Sequence, residues 1–137
     1  MSDKAVEHID VVVVGAGFAG IYAVYRAGQD NLSVKCFEAG TEVGGTWYWN
    51  RYPGARVDIE CLEYSYSFDD ELQQEWEWTE RYAGQDEILS YAKHVADKYN
   101  LREHMQFETR VESAVFDEDS QRWRVITNRG DHVSAKF

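Results

Sequence analysis

The stretch Ile9-Asp10-Val11-Val12-Val13-Val14-Gly15-Ala16-Gly17-Phe18-Ala19-Gly20 decides the fold. Ile9 to Val14 reads as a largely β-branched strand covered on both faces, the kind found in parallel sheets. Glycines follow at 15, 17 and 20. Ile21, Ala23, Val24 and Ala27 then recur at helical spacing, with Gly28 as the expected helix end. Ser33 to Glu38 reads as a second strand. Strand, glycine turn, helix and strand over residues 9–38 make a βαβ unit, whose crossover should be right-handed.

Gly15-x-Gly17-x-x-Gly20 stands where a dinucleotide fingerprint must stand, after a buried strand and at the opening of a helix. The first glycine allows the tight turn and the second lets a pyrophosphate approach the backbone. The third lets helix and strand pack closely. The helix N-terminus then offers free N–H groups and a partial positive charge. Phe18, inside the fingerprint, is counted with the cofactor-contacting residues. Glu38 ends the second strand, where a carboxylate can accept hydrogen bonds from both hydroxyls of an adenosine ribose. It would repel a 2′-phosphate, so the adenosine bound here should lack one.

The remainder of the chain is consistent with one α/β domain. It has 137 residues, 44% hydrophobic and 15% aromatic, enough for a packed core. The net charge of −11 and the scattered Lys and Arg residues argue against nucleic-acid binding. Any phosphate must therefore be held mainly by backbone N–H groups. Cys36 and Cys61 form no CxxC pair and read as buried thiols in a reducing compartment, with no metal site. Met1 to Asp10 lacks the apolar region of a signal peptide, and no apolar run is long enough to span a membrane; a cytoplasmic location is expected.

Residues 40–70 show no clean period and read as a long binding loop with a short helix near Cys61–Tyr66. Trp76 to Tyr82 reads as an ordered turn, with Trp76, Trp78 and Tyr82 assigned to packing. Residues 86–100 form an amphipathic helix with Ile88, Leu89, Tyr91, Ala92, Val95, Ala96 and Tyr99 on one face. A small antiparallel β-meander is expected over 105–137. Its strands are Met105–Val111, Glu112–Asp117, Trp123–Thr127 and Val133–Phe137, with a hairpin at Asn128-Arg129-Gly130. The last strand reads as only begun, so the chain is expected to be the N-terminal piece of a longer protein. His8, His94, His104 and His132 are scattered and suggest no site.

Gly44 to Asp58, GGTWYWNRYPGARVD, is the most unusual segment. It combines three consecutive aromatics with glycine and proline turns and an Arg56/Asp58 pair that reads as buried. The Gly44-Gly45 pair behind Glu38 resembles the extended signature of two-dinucleotide-binding flavoproteins, in which the first nucleotide is FAD. The whole segment is similar to that of type I Baeyer–Villiger monooxygenases. So are Asp58-Ile59-Glu60, Glu63-Tyr64-Ser65-Tyr66-Ser67-Phe68 and Glu75-Trp76-Glu77-Trp78-Thr79-Glu80-Arg81-Tyr82-Ala83. These enzymes use FAD, NADPH and O2 to place one oxygen next to a ketone carbonyl through a C4a-peroxyflavin, giving an ester or lactone.

By position, the resemblance implies that Gly15, Gly17 and Gly20 hold the FAD pyrophosphate and Glu38 its ribose. Gly45, Thr46, Trp47, Tyr48 and Trp49 line the flavin, and Tyr64 contacts the cofactor. Val111, at a strand end, offers backbone groups to the adenine. Arg56, Val57 and Asp58 face the nicotinamide side. Asp58 is the catalytic candidate, positioning a downstream arginine; a salt bridge of Asp58 with Arg56 or Arg51 is the purely structural alternative. The family's NADPH fingerprint, its His and Trp-Pro linker and its catalytic arginine do not occur in these 137 residues. The fold implied is a Rossmann-like FAD-binding domain, incomplete at its C-terminus, whose partner is the rest of its own polypeptide. A non-catalytic nucleotide-binding module and an N-hydroxylating flavin monooxygenase remain as other readings.

Overall fold

The computed structural model describes residues 4–137; Met1 to Asp3, part of the N-terminal stretch read above, lie outside the described residues. The first strand is not continuous. It divides into β1 (Glu7–Ile9) and β2 (Val11–Val14), and the division falls on the one acidic residue in the apolar run, Asp10. Its carboxylate accepts hydrogen bonds from the Ser33 N–H at 2.9 Å and the Ser33 hydroxyl at 3.0 Å, and Lys136 pairs with it at 2.9 Å. These bonds satisfy the polar groups at the bend, so the chain leaves one sheet and enters the next.

Helix α1 (Phe18–Gln29) returns the chain to β3 (Val34–Phe37), which pairs in parallel with β2 from Val11↔Val34 to Val14↔Phe37. The helix ends one residue beyond Gly28. Asn31, at φ 57°, takes the left-handed position expected of that glycine, and the Leu32 N–H reaches back to the Ala27 carbonyl. Asparagine tolerates this conformation better than most residues.

Three short helices interrupt the long loop: α2 (Thr46–Trp49), α3 (Cys61–Tyr64) and α4 (Asp70–Glu75). The last was not expected from the sequence, although Asp69 caps it by accepting the Glu71 N–H at 2.9 Å. Helix α5 (Gln85–Lys98) buries Ile88, Leu89, Tyr91, Ala92, Val95 and Ala96. A 3-10 turn, Leu101–His104, leads to β4 (Met105–Gln106), which pairs in parallel with β3.

The strand expected over Met105–Val111 is therefore only two residues long. Phe107 to Arg110 leave the sheet, with Glu108 at φ 52°, and Val111 begins a strand rather than ending one. Strands β5 (Val111–Asp117), β6 (Arg122–Thr127) and β7 (His132–Ala135) form an antiparallel meander, with a bulge between Val111 and Ser113. β7 then pairs in parallel with β1, from Glu7↔Val133 to Ile9↔Ala135. Phe137 continues past the bend, bonded to Asp10 and Val12.

The result is a β2–β3–β4 sheet packed against α1 and α5, beside a β1–β7–β6–β5 sheet. Phe37, Val125 and Val133 fill the seam between the two. No helix of the described residues is long and apolar enough to cross a membrane.

The Asp10 node has a pH signature. Hydrogen bonds from Lys136 and Ser33 lower its carboxyl from 3.8 to about 2. A carboxylate depressed on folding contributes stability above its unfolded pKa, and that contribution is lost as pH falls through the folded one. The urea midpoint should therefore drop between pH 3.8 and about 2. Asp10→Asn should make that drop shallower without abolishing it, because Asp131 is also held at about 2. An identical pH profile in the variant would remove Asp10 from this role.

Candidate functional site

The site begins where β2 stops. Gly15 turns the chain at φ 94°, Gly17 precedes α1, and no side chain caps the helix. No acidic residue occupies the first turn, so its N–H groups and dipole face outward without a competing charge. Gly20 lies on the underside of this turn. A Cβ there would stand 1.9 Å from the Gly15 carbonyl oxygen and 3.4 Å from a Val13 methyl. Only glycine lets α1 sit this close to β2.

The second glycine pair closes against the first. The Gly44 N–H donates to the Ala16 carbonyl at 2.9 Å. Gly45, at φ 54°, faces Gly17 so closely that a Cβ on Gly45 would be 2.8 Å from the Gly17 Cα. The two loops and the start of α2 frame an open groove of about 320 Å³. It is lined by Val14, Gly15, Gly17 to Gly20, Gly44 to Trp47 and Tyr64. None of those side chains is charged, although the chain as a whole is strongly acidic.

Glu38 stands behind the groove, 4% exposed. One carboxylate oxygen accepts the Ala16 N–H at 2.6 Å and the other the Gly40 N–H at 2.8 Å. Each oxygen keeps a further lone-pair direction for a hydroxyl donor. Burial, with Glu38 nearby, pushes the Cys36 thiol up to about 12, so this cysteine stays protonated and unreactive.

The aromatic segment divides by face. Trp47 turns inward, and its indole N–H donates to the Tyr64 hydroxyl at 2.8 Å. Tyr48 is half-buried against Gly40, sharing its hydroxyl with Thr41. Thr46 and Trp49 are exposed, Trp49 by 59%. Phe18 stacks on Tyr66, with ring centroids 5.3 Å apart, and touches Tyr64 at 5.2 Å. The Tyr66 hydroxyl donates to the Phe18 carbonyl and so fixes the first residue of α1; burial raises its pKa, which keeps it a donor.

The expected buried Arg56/Asp58 pair does not form. Arg56 is bonded to Glu80 and to the Tyr82 carbonyl, part of a pairing that joins residues 55–61 to 81–85. Arg51 instead donates to the Tyr48 carbonyl and lies over the Tyr48 ring. Val57 is buried, whereas Asp58 is exposed and has no ion-pair partner among the described residues. The structural alternative, a salt bridge of Asp58 with Arg51 or Arg56, is not present among the described residues. A larger cleft of about 660 Å³ lies between Cys61 and the Trp76–Arg81 segment, and none of the expected cofactor residues lines it. Trp76 and Trp78 pack on Tyr91, and Tyr82 is 41% exposed.

Val111 opens β5, immediately after the segment 107–110 that was expected to be strand. The Glu108 N–H donates to the Gly40 carbonyl and the Thr109 N–H to the Glu38 carbonyl, each at 2.9 Å. Residues 107–110 therefore border the site beside Glu38. Gly40, Tyr66 and Thr109 were not singled out from the sequence. Only Gly40, two residues after the strand-end glutamate, carried a local signal.

A buried parallel strand, a glycine turn, a helix N-terminus and a strand-end carboxylate together define a Rossmann-like dinucleotide-binding fold. A family model described as an NAD(P)-binding Rossmann-like domain matches residues 13–71. A Baeyer–Villiger monooxygenase from Pseudooceanicola batsensis is 46% identical over 129 residues, 93% of this chain and 24% of that protein. A phenazine N-monooxygenase from Lysobacter antibioticus is 43% identical over 138 residues, covering 100% of this chain and 26% of that protein. The structure of an oxidized steroid monooxygenase bound to NADP superposes with a TM-score of 0.93 at 60% identity, over 95% of this chain and 25% of that one. Over nearly its whole length the chain is therefore similar to Baeyer–Villiger monooxygenases. It spans about a quarter of the length of the relatives it matches.

Gly20→Ala tests the close approach. Glycine to alanine inside a helix ordinarily gains about 1 kcal/mol. Here the contact with Gly15 should reverse the sign and cost about 1–3 kcal/mol, read as a lower urea midpoint with unchanged slope. A stabilised variant would show that the turn yields freely.

Proposed function

We propose that this chain is the FAD-binding portion of a flavin-dependent, NADPH-using monooxygenase that inserts one oxygen of O2 beside a ketone carbonyl, giving an ester or lactone. The observation that carries the reading is the uncharged glycine groove at the N-terminus of α1, backed by a buried carboxylate with spare acceptor capacity. A diphosphate placed there meets backbone N–H groups and a helix dipole, and no acidic side chain lines the groove. The cradle fits the group, since a side chain at Gly45 would collide with the Gly17 backbone and force apart the two loops that frame it.

In this reading Gly15, Gly17, Phe18 and Gly20 receive the pyrophosphate, and Glu38 accepts the ribose hydroxyls. The backbone of Val111 borders the adenine. Gly45, Thr46 and Trp49 face the flavin. Trp47, Tyr48 and Tyr64 support that floor from within, through the indole-to-phenol bond. FAD, when bound, supplies two-electron chemistry between reduced nicotinamide and dioxygen. Arg56, tied to Glu80, fixes the loop that carries Val57 and Asp58 toward the nicotinamide side. The exposed Asp58 carboxylate is free to orient a cationic group contributed from outside this segment, and so to set the field where negative charge develops.

The likeness to a phenazine N-monooxygenase favours a second reading, oxygen transfer to nitrogen. Product analysis of a longer protein carrying this segment separates the two: esters or lactones support the first, N-oxides the second. A chain purified without yellow colour, and unable to take up FAD, would favour a non-catalytic module.

Two substitutions test the roles. Glu38→Ala should weaken FAD binding by about 1–3 kcal/mol, measured by flavin fluorescence titration; unchanged affinity would count against ribose recognition. In a protein that extends beyond this segment, Asp58→Ala should reduce oxygenated product by orders of magnitude while the flavin spectrum persists. Wild-type turnover would remove Asp58 from the chemistry.

A further inference from the structure

Four polar or charged residues are buried among the described residues: Glu38, Thr109, Thr127 and Asp131. All four belong to one network. Asp131 sits at the end of the β6–β7 turn, and one of its oxygens accepts the Thr127 hydroxyl at 2.6 Å and the Gln106 amide at 2.8 Å. Lys4 pairs with the other at 2.9 Å. The Gln106 amide also reaches the Thr109 hydroxyl at 3.1 Å, and the Gln106 carbonyl accepts the Glu38 N–H at 2.9 Å. Thr109 in turn donates its N–H to the Glu38 carbonyl. On the far side of the same turn, the Asn128 side chain accepts the Arg110 N–H at 2.9 Å, and the Asn128 N–H returns to the Arg110 carbonyl. The turn thus grips residues 106–110 at both ends.

A hairpin needs none of this. The bond between Thr127 and Asp131, with Gly130 at φ 81°, would close the turn unaided. The links through Gln106 and Asn128 reach beyond the turn itself. What they hold is the last residue of β4 and the segment that leaves the sheet after it, which lies against Glu38 and Gly40. Burial opposes the Asp131 carboxylate, but bonds from Thr127, Lys4 and Gln106 outweigh it and hold its pKa at about 2. A buried charge satisfied on this scale fixes geometry, because each lost partner leaves a costly unpaired group.

We propose that Asp131 is a positioning residue for the adenosine end of the nucleotide site, acting through Gln106 to hold residues 106–110 against the strand end that carries Glu38. The inference rests on the nucleotide reading above and extends it to a residue of the meander. It assigns the β6–β7 turn a task outside its own sheet: to keep the ribose and adenine wall formed before the nucleotide arrives.

The test uses the whole chain with FAD and with ADP as probes. Asp131→Asn retains the shape of the side chain. Gln106→Met removes the amide link and leaves the Thr127–Asp131 bond in place. Both variants should bind FAD and ADP about tenfold more weakly. Amide hydrogen exchange should quicken at Glu108 and Thr109 while the β5–β6–β7 amides stay protected. If Gln106→Met leaves both affinities and both amides unchanged, and Asp131→Asn loosens only the meander, Asp131 is a turn residue and the proposal falls. A wild-type chain that takes up neither FAD nor ADP would sink the nucleotide reading itself; the exchange at Glu108 and Thr109 still decides whether the brace exists.

Discussion

The Glu38 carboxylate is the constraint on which the rest of the site depends. It is a charge withdrawn from water, and such a group is tolerated only when its oxygens are bonded. The two bonds within the protein come from backbone N–H groups on different segments, Ala16 in the glycine turn and Gly40 after β3. These bonds set the glycine turn relative to the end of the neighbouring strand. With that turn fixed, the N-terminus of α1 is aimed, and the Ala16 carbonyl is available to the Gly44 N–H. One side chain thereby aligns the glycine turn with the bends at Gly40 and Gly44 that follow β3.

Close approach then replaces side-chain contact as the organising force. Gly20 against Gly15 and Gly45 against Gly17 leave no room for a methyl group, so the two glycine loops present bare backbone to the groove. Bare backbone is what an acidic protein needs in order to receive a diphosphate. With a net charge of −11, long-range electrostatics oppose an anionic ligand, and no Lys or Arg lines the groove to offset that. Local N–H dipoles act at hydrogen-bond distance, where they outweigh surface charges screened over about 10 Å.

How far the sequence could be read follows from the range of the interactions involved. The βαβ unit, the Gly15–Gly20 fingerprint and the strand-end Glu38 are spelled out by spacing within thirty residues. The partition at Asp10 was marked only by a polar residue inside an apolar run, and its meaning lies in Ser33 and Lys136. The strand expected over 105–111 satisfied local propensity, but tertiary bonds to Glu38 and Gly40 draw residues 107–110 out of the sheet. Helix α4 was announced by Asp69-Asp70-Glu71, a capping signal overlooked among aromatic neighbours. The Arg56–Glu80 pair spans 24 positions and competes with the shorter-range Asp58. Proximity in sequence favoured the wrong partner.

The two ends of the site are built on different physics. On the side proposed for the adenosine, buried polar groups are bonded to one another through Glu38, Thr109, Gln106 and Asp131, so that wall is held by the protein's own bonds. On the side proposed for the flavin, Trp49 and the neighbouring Tyr52 are each about 60% exposed, and Asp58 has no ionic partner among the described residues. Apolar area left in water carries a free-energy cost of about 25 cal/mol per Å² that a flat ring or a packed surface would recover. The first end therefore gives pre-organised recognition, because its ordering cost is met on folding. The second gains its order only when something lies upon it. Such a division suits a cofactor that is anchored by its nucleotide while its reactive ring meets other groups.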